Sequence, residues 1–209
     1  MKTIYLIRHS APFVEIENYE DYKNVNWCDY NKNMILSVKG EENAKKLCDI
    51  EEFKNIDAVY SSNSFRAIGT AKYIAEQNNL KIILDNRIDE RELGISKIAD
   101  LPDNFTIDSF NNRDLSIGFG ESLNTVDRRF NRFIEFVLKT DKSNIALFIH
   151  GIILMSYLQT ISKFDFDGQI LDIEFKNKTI YKDKVKNPLI FKLEFDDNNL
   201  INLENINND

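Results

Sequence analysis

An α/β domain built on a largely parallel sheet is the fold class this sequence predicts. Short apolar runs alternate with amphipathic stretches of helical period, the pattern of successive β-α units. No repeat and no Gly/Ser-rich or Pro-rich linker divides the chain. Its 209 residues suit one domain with a full core and hardly two, so a single domain over residues 1–209 is expected.

Residues 3–7 form an apolar run that ends at Arg8-His9, as a buried first strand would with that pair at its C-terminal end. Gly40-Glu41-Glu42-Asn43-Ala44-Lys45-Lys46-Leu47 reads as helix. Residues 57–60 lead into Ser61-Ser62, and a helix follows with Ala67, Ile68, Ala71, Ile74 and Ala75 on one face. Residues 81–84 make another short strand. Residues 95–119 are irregular and polar, either a lid over a site or a plain surface excursion. From Leu123 a long helix places Val126, Phe130, Phe133, Ile134 and Val137 on one side. Residues 144–149 form a buried strand ending at His150-Gly151, and residues 152–161 read as helix. Strand-like runs follow Phe175, notably 189–195. The turn signal Asp196-Asp197-Asn198-Asn199 then precedes Leu200-Ile201-Asn202-Leu203, which predicts a terminal hairpin at a sheet edge.

The formal net charge of −7 argues against general nucleic-acid affinity, which needs a basic face. It leaves room for a small anionic substrate, because a local arginine cluster overrides the average field. No stretch is long and apolar enough to span a bilayer. The first residues meet a charge too early for a signal-peptide core, so a cytoplasmic location is expected. Cys28 and Cys48 have no CxxC spacing and predict neither a disulfide framework nor a zinc site. Cys48 reads as a small buried apolar residue.

Three strand ends carry chemically capable groups: Arg8-His9, Ser61-Ser62 with Arg66 just beyond, and His150-Gly151. In open α/β sheets ligands bind beyond the carboxyl ends of the strands, so parallel neighbouring strands would bring these groups to one point. The chain has two histidines, and both stand at such ends. Two histidines and two arginines together would attract a phosphoryl group, since guanidinium is a rigid fork matched to phosphate oxygens. The helix after Gly151 would add free N–H groups, and Gly151 would let the backbone come close to the anion. Imidazole is a competent nucleophile.

These residues resemble the histidine phosphatase superfamily, also called phosphoglycerate mutase-like. Leu6-Ile7-Arg8-His9-Ser10 resembles its RHG signature, and Leu36-Ser37-Val38-Lys39-Gly40-Glu41-Glu42-Asn43-Ala44 its LTxxGxxQA segment. Tyr60-Ser61-Ser62-Asn63-Ser64-Phe65-Arg66-Ala67-Ile68-Gly69-Thr70-Ala71 is similar to the SSxxxRAxxTA block. Arg87-Ile88-Asp89-Glu90-Arg91-Glu92-Leu93-Gly94 resembles the block that carries the acid. Gly120-Glu121-Ser122 and Phe148-Ile149-His150-Gly151 match GES and SHG. The six blocks run in family order from residue 6 to residue 151. The resemblance implies a three-layer α/β/α sandwich with a mostly parallel central sheet. It implies His9 as nucleophile, with Arg8, Arg66 and His150 holding the phosphoryl oxygens, and Glu90 as general acid and base. Asp89 and Glu92 lie close, and Glu90 is preferred for its spacing to Gly94. Gly151 and Ser62 join the substrate-binding set, although Ser62 serves equally as a helix cap. Ser122 is likewise either part of the site or the N-cap of the long helix. No metal and no cofactor is implied.

The departures lie at Ser10, where the family usually has glycine, and at Glu15, where many members place an amide. Residues 13–35 form a long aromatic-containing connection with Tyr19, Tyr22, Trp27 and Tyr30, which either covers the site or packs over the core. The function expected is a phosphoric monoester hydrolase of histidine acid phosphatase type, acting through phosphohistidine on a small metabolite or phosphoprotein. The alternatives are a phosphoglycerate mutase, against which Leu93 replaces the usual tyrosine, and a non-catalytic phosphate-binding regulatory module. Arg87, Arg91, Lys97 and Arg113 line an entrance for a multiply charged ester, or are surface charges.

Overall fold

Alternating burial along β1 (Lys2–Arg8) shows how the layers are made. Ile4 and Leu6 join one core cluster, while Tyr5 and Ile7 join another on the opposite face. Successive strand residues point to opposite faces, so a strand apolar at every position must be covered on both sides. The computed structural model describes residues 1–14, 21 and 23–207.

After β1 come α1 (Trp27–Asn33), α2 (Val38–Lys46) and two 3-10 turns at Leu47–Asp49 and Glu51–Asn55. β2 (Ala58–Ser61), α3 (Phe65–Gln77) and β3 (Ile82–Leu84) follow, then α4 (Phe105–Asn111) and α5 (Leu123–Leu138). β4 (Asn144–Ile149) feeds α6 (Gly151–Ile161). The chain closes with β5 (Lys163–Phe166), β6 (Ile170–Phe175), β7 (Lys178–Lys184), β8 (Leu189–Asp196) and β9 (Asn199–Asn205).

The main sheet has the order β3-β2-β4-β1-β8-β9. Its first four strands are parallel; β8 runs antiparallel to β1, and β9 to β8, which is the expected edge hairpin. One face is covered by α5 and α6 through Val126, Phe130, Phe133, Ile153 and Leu158. The other is covered by α3 and the 3-10 turns through Ala71, Ile74, Leu47 and Phe53. The mixed α/β architecture with a mainly parallel central sheet is therefore as expected.

Register positions the site. Arg8 pairs with Ile149, and Ser61 with Phe148. His9 N–H then donates to the Ile149 carbonyl at 2.9 Å, and Ser62 N–H to the Phe148 carbonyl at 3.0 Å. The three strands stop at one level, so His9, Ser62 and His150, each the first residue past its strand, stand side by side.

Two features carry little signal in the sequence, beyond the strand-like runs after Phe175. Residues 163–184 form a three-stranded antiparallel sheet, β5-β6-β7, which docks on the first core through Leu171, Ile173 and Tyr181. Its strands are half exposed and charged, so the apolar signal there is thin. Residues 27–33 are helical although none of them is buried; Asn26 caps that helix by accepting from Asp29 N–H at 3.1 Å. No helix among the described residues is long and apolar enough to cross a membrane.

Candidate active site

His9 leaves β1 with its ring buried, and the next residue fixes the turn. Ser10 N–H donates to Thr70 Oγ1 at 2.9 Å, and Ser10 Oγ–H donates to the Gly40 carbonyl at 2.8 Å. The departure from glycine at this position thus gains a hydrogen bond that ties the turn to α2. The His9 carbonyl accepts from Asn187 Nδ2 at 3.0 Å.

Arg66, on the first turn of α3, touches both histidines. Its Nε donates to His9 Nε2 at 3.0 Å, and its Nη2 donates to His150 Nδ1 at 3.0 Å. Guanidinium has no acceptor, so both ring nitrogens facing it are unprotonated. His9 Nδ1–H then donates to the Ser10 carbonyl at 2.8 Å, and His150 Nε2–H donates to Ser62 Oγ at 2.6 Å. One arginine sets the tautomer of both rings, whose centroids lie 5.1 Å apart. Burial, with the Arg66 charge second, holds both imidazoles well below their ordinary value of 6.5. Both are therefore neutral near pH 7.

Arg8 enters from the other side. Its Nη1 donates to the carbonyls of Val185 and Lys186 at 3.1 and 2.9 Å. Its Nε is buried and finds no acceptor among the described residues. A Cβ on Gly151 would lie 3.2 Å from that Nε, so glycine at 151 keeps the approach to the Arg8 fork open. Burial lowers the pKa of Arg8 and of Arg66, and Glu90 opposes the shift in both.

Glu90 lies at the mouth of α6. Its carboxylate accepts from the N–H groups of Ile152 and Ile153, each at 3.3 Å, and from Arg91 N–H at 2.9 Å. The helix N-terminus that the sequence offered to a phosphate is occupied here by this carboxylate, for which the positive dipole end is equally suited. Asp89 is bound instead to Asn63, through N–H at 2.7 Å and Nδ2. Glu92 is exposed.

The six sequence blocks fit together physically. A family profile, the histidine phosphatase superfamily (branch 1), matches residues 4–186. The chain belongs to the histidine phosphatase superfamily. No curated protein matches it. Among solved structures, a mycobacterial glucosyl-3-phosphoglycerate phosphatase in complex with VO3 superposes with a TM-score of 0.68. Its identity is 16%, over 99% of this chain and 98% of that one. A phosphoglycerate mutase from Bacillus anthracis superposes with a TM-score of 0.67 at 18% identity, over 98% of this chain and 92% of that one. At such identities the likeness is one of fold.

Within this histidine phosphatase fold, residues outside the signature blocks also reach the site. Asn31, on α1, accepts from Arg66 Nη2 through Oδ1 at 2.9 Å and from Arg66 Nη1 through its carbonyl. No pattern in the 13–35 connection marks it. Arg129, on α5, grips Glu121 with two bonds of 2.7 and 2.9 Å and donates to the carbonyls of Arg87 and Glu90 at 2.8 and 3.2 Å. It holds the loop that carries Glu90. Ser122 accepts from Thr125 N–H at 3.2 Å and is the N-cap of α5. Glu15, Tyr19 and Tyr22 lie outside the described residues.

Three of the four candidate entrance charges are bound into the fold. Arg87 is clamped to Asp85 at 2.9 and 2.6 Å. Arg113 is bonded to Gln159, Asp127 and Ser156. Buried Arg91 donates to the Glu121 and Leu115 carbonyls, each at 2.7 Å, and to Ser109 Oγ at 2.9 Å, with its guanidinium over the Phe105 ring. Arg91 thereby stitches residues 105–121 to the loop that carries Glu90. Residues 95–119 are not irregular throughout, because they contain α4. They also meet the 13–35 connection, where Trp27 N–H donates to the Ser96 carbonyl at 2.9 Å. Cys28 is exposed, and Cys48 is half-buried against the second core. Among the described residues no group of three or more His, Cys, Asp or Glu side chains has the geometry to hold a metal ion.

Proposed function

We propose that this chain is a metal-independent phosphomonoesterase that works through a phosphohistidine on His9, acting on a small phosphorylated metabolite or phosphoprotein. The observation that carries this reading is the Arg66 bond to His9 Nε2, which puts the lone pair of a neutral imidazole at the point where Arg66 and His150 meet and Arg8 stands close by.

The reaction follows from those positions. His9 Nε2 attacks phosphorus while the ester P–O bond breaks. Arg66 transfers its donor from Nε2 to a phosphoryl oxygen, and the unclaimed Arg8 Nε–H takes another. Fixed guanidinium donors stabilise the charge that spreads over those oxygens. Glu90, when protonated, gives its proton to the leaving alkoxide. As carboxylate it then takes a proton from water, whose oxygen attacks phosphorus. The P–N bond breaks and its electron pair returns to Nε2, releasing inorganic phosphate. His150 supports the cluster through Arg66 and Ser62.

The test is hydrolysis of p-nitrophenyl phosphate at mildly acidic pH in EDTA, comparing wild type with His9→Ala. Turnover by wild type alone, with an acid-labile, base-stable phosphoenzyme, is expected. Wild-type-like turnover by His9→Ala would sink the phosphohistidine. Transfer between phosphoglycerates without net hydrolysis would make the protein a mutase, and phosphate binding without either activity a regulatory module.

A further inference from the structure

Beside the histidine cluster lies a cleft of about 310 Å³ whose lining includes Asn31, which binds Arg66, and Glu90, which binds the N-terminus of α6. Trp27, Leu93 and Ile95 give it an apolar wall. Among the described residues its carboxylates are Asp89, Glu90 and Glu92, against one available cation, the exposed Lys32. Arg91 also lines it, but its guanidinium is buried and bonded to Glu121, Ser109 and Leu115. Among the described residues, a second anionic group on the substrate would find no free guanidinium to receive it there, and the carboxylates of Asp89 and Glu92 to repel it.

From this lining we infer that the cleft is the leaving-group pocket and selects a flat alcohol that is uncharged or cationic, rejecting one that carries a second acid group. The inference rests on the phosphatase reading for its chemistry and on the cleft alone for its selectivity. A flat ring stacks on Trp27, where indole offers a large apolar face and attracts a cation. A cationic substituent is drawn to Asp89 and Glu92. Glu90, in the lining, is the group that would protonate an alkoxide bound there.

The experiment uses three esters that share a phenolic leaving group: phenyl phosphate, 4-(aminomethyl)phenyl phosphate and 4-carboxyphenyl phosphate. Phenyl and aminomethyl esters should show kcat/KM at least about tenfold above that of the carboxy ester. Glu92→Gln should narrow that gap, and Lys32→Ala should widen it. Trp27 is the chain's one tryptophan, so its fluorescence reports occupancy of the cleft directly. In His9→Ala, the first two esters should quench it at lower concentration than the third. Equal or better turnover of the carboxy ester, or binding that leaves Trp27 emission unchanged, overturns the inference while leaving the phosphatase intact. If wild type hydrolyses none of the three, the phosphatase reading fails, and the fluorescence series alone decides the pocket: selective quenching upholds it, and unselective or absent quenching overturns it.

Discussion

Arg66 spends its donors on His9, His150 and Asn31, so its placement governs two tautomers at once. Asn31 accepts from both terminal nitrogens of that fork. Asn31→Ala removes one bond to a charged donor, and kcat/KM for p-nitrophenyl phosphate should fall about tenfold. Thermal unfolding near the wild-type temperature would confirm that the loss is positional, and unchanged kcat/KM would show that Arg66 holds its pose without help. Glu90 carries a second residue-scale expectation. Glu90→Gln keeps the shape of the side chain but removes the proton. Turnover of alkyl esters should drop by about 10²–10⁴, and of p-nitrophenyl phosphate by less, because nitrophenolate leaves without protonation. Equal losses on both substrates would remove Glu90 from the acid role.

Among the elements, the loop carrying Glu90 is held by the segment that starts α5. Gly94 adopts a left-handed φ of 72°, and Gly120 lies against it so closely that a Cβ there would meet the Leu93 carbonyl at 2.5 Å and Gly94 N at 2.6 Å. These are backbone atoms and do not give way. Gly120→Ala should therefore cost about 1–3 kcal/mol, lower the melting temperature by several degrees and displace the loop that carries Glu90. A melting temperature equal to wild type would show that the two loops separate cheaply. The pairing also explains a sequence observation. The blocks at 87–94 and 120–122 belong together because they pack main chain against main chain, with Glu121 closing the junction through Arg129 and the N–H of Glu92.

At the scale of the whole molecule, the site lies at the ends of β1, β2 and β4, strands covered on both faces, and both histidines are buried there. Both are held well below 6.5 in the folded chain, while in the unfolded chain they titrate near that value. Below about pH 6.5 the unfolded state thus takes up protons that the folded state refuses. This contribution to stability is fully present above pH 6.5. It is lost as pH falls toward the depressed folded values, by at most about 1.4 kcal/mol per pH unit for each histidine. Denaturant midpoints should be lower at pH 5.5 than at pH 7, with a shallower fall in His150→Gln. A flat profile would mean that the imidazoles are not held neutral.

Much of this was legible in the linear chain for a local reason. Strand and helix periods, and the chemistry placed just past an apolar run, are properties of neighbouring residues, so β1, β2 and β4 and the groups at their ends could be read directly. The hairpin β8-β9 was announced by its turn residues in the same way. By contrast, the chain could not reveal that Asn31 reaches Arg66, that Arg129 holds the loop of Glu90, or that Glu90 sits on the N-terminus of α6. Nor could it show that Arg91 is a buried stitch and not an entrance charge. Those are polar contacts between segments distant in sequence, made by side chains whose positions follow no period. Only closure of the tertiary fold decides which donor meets which acceptor.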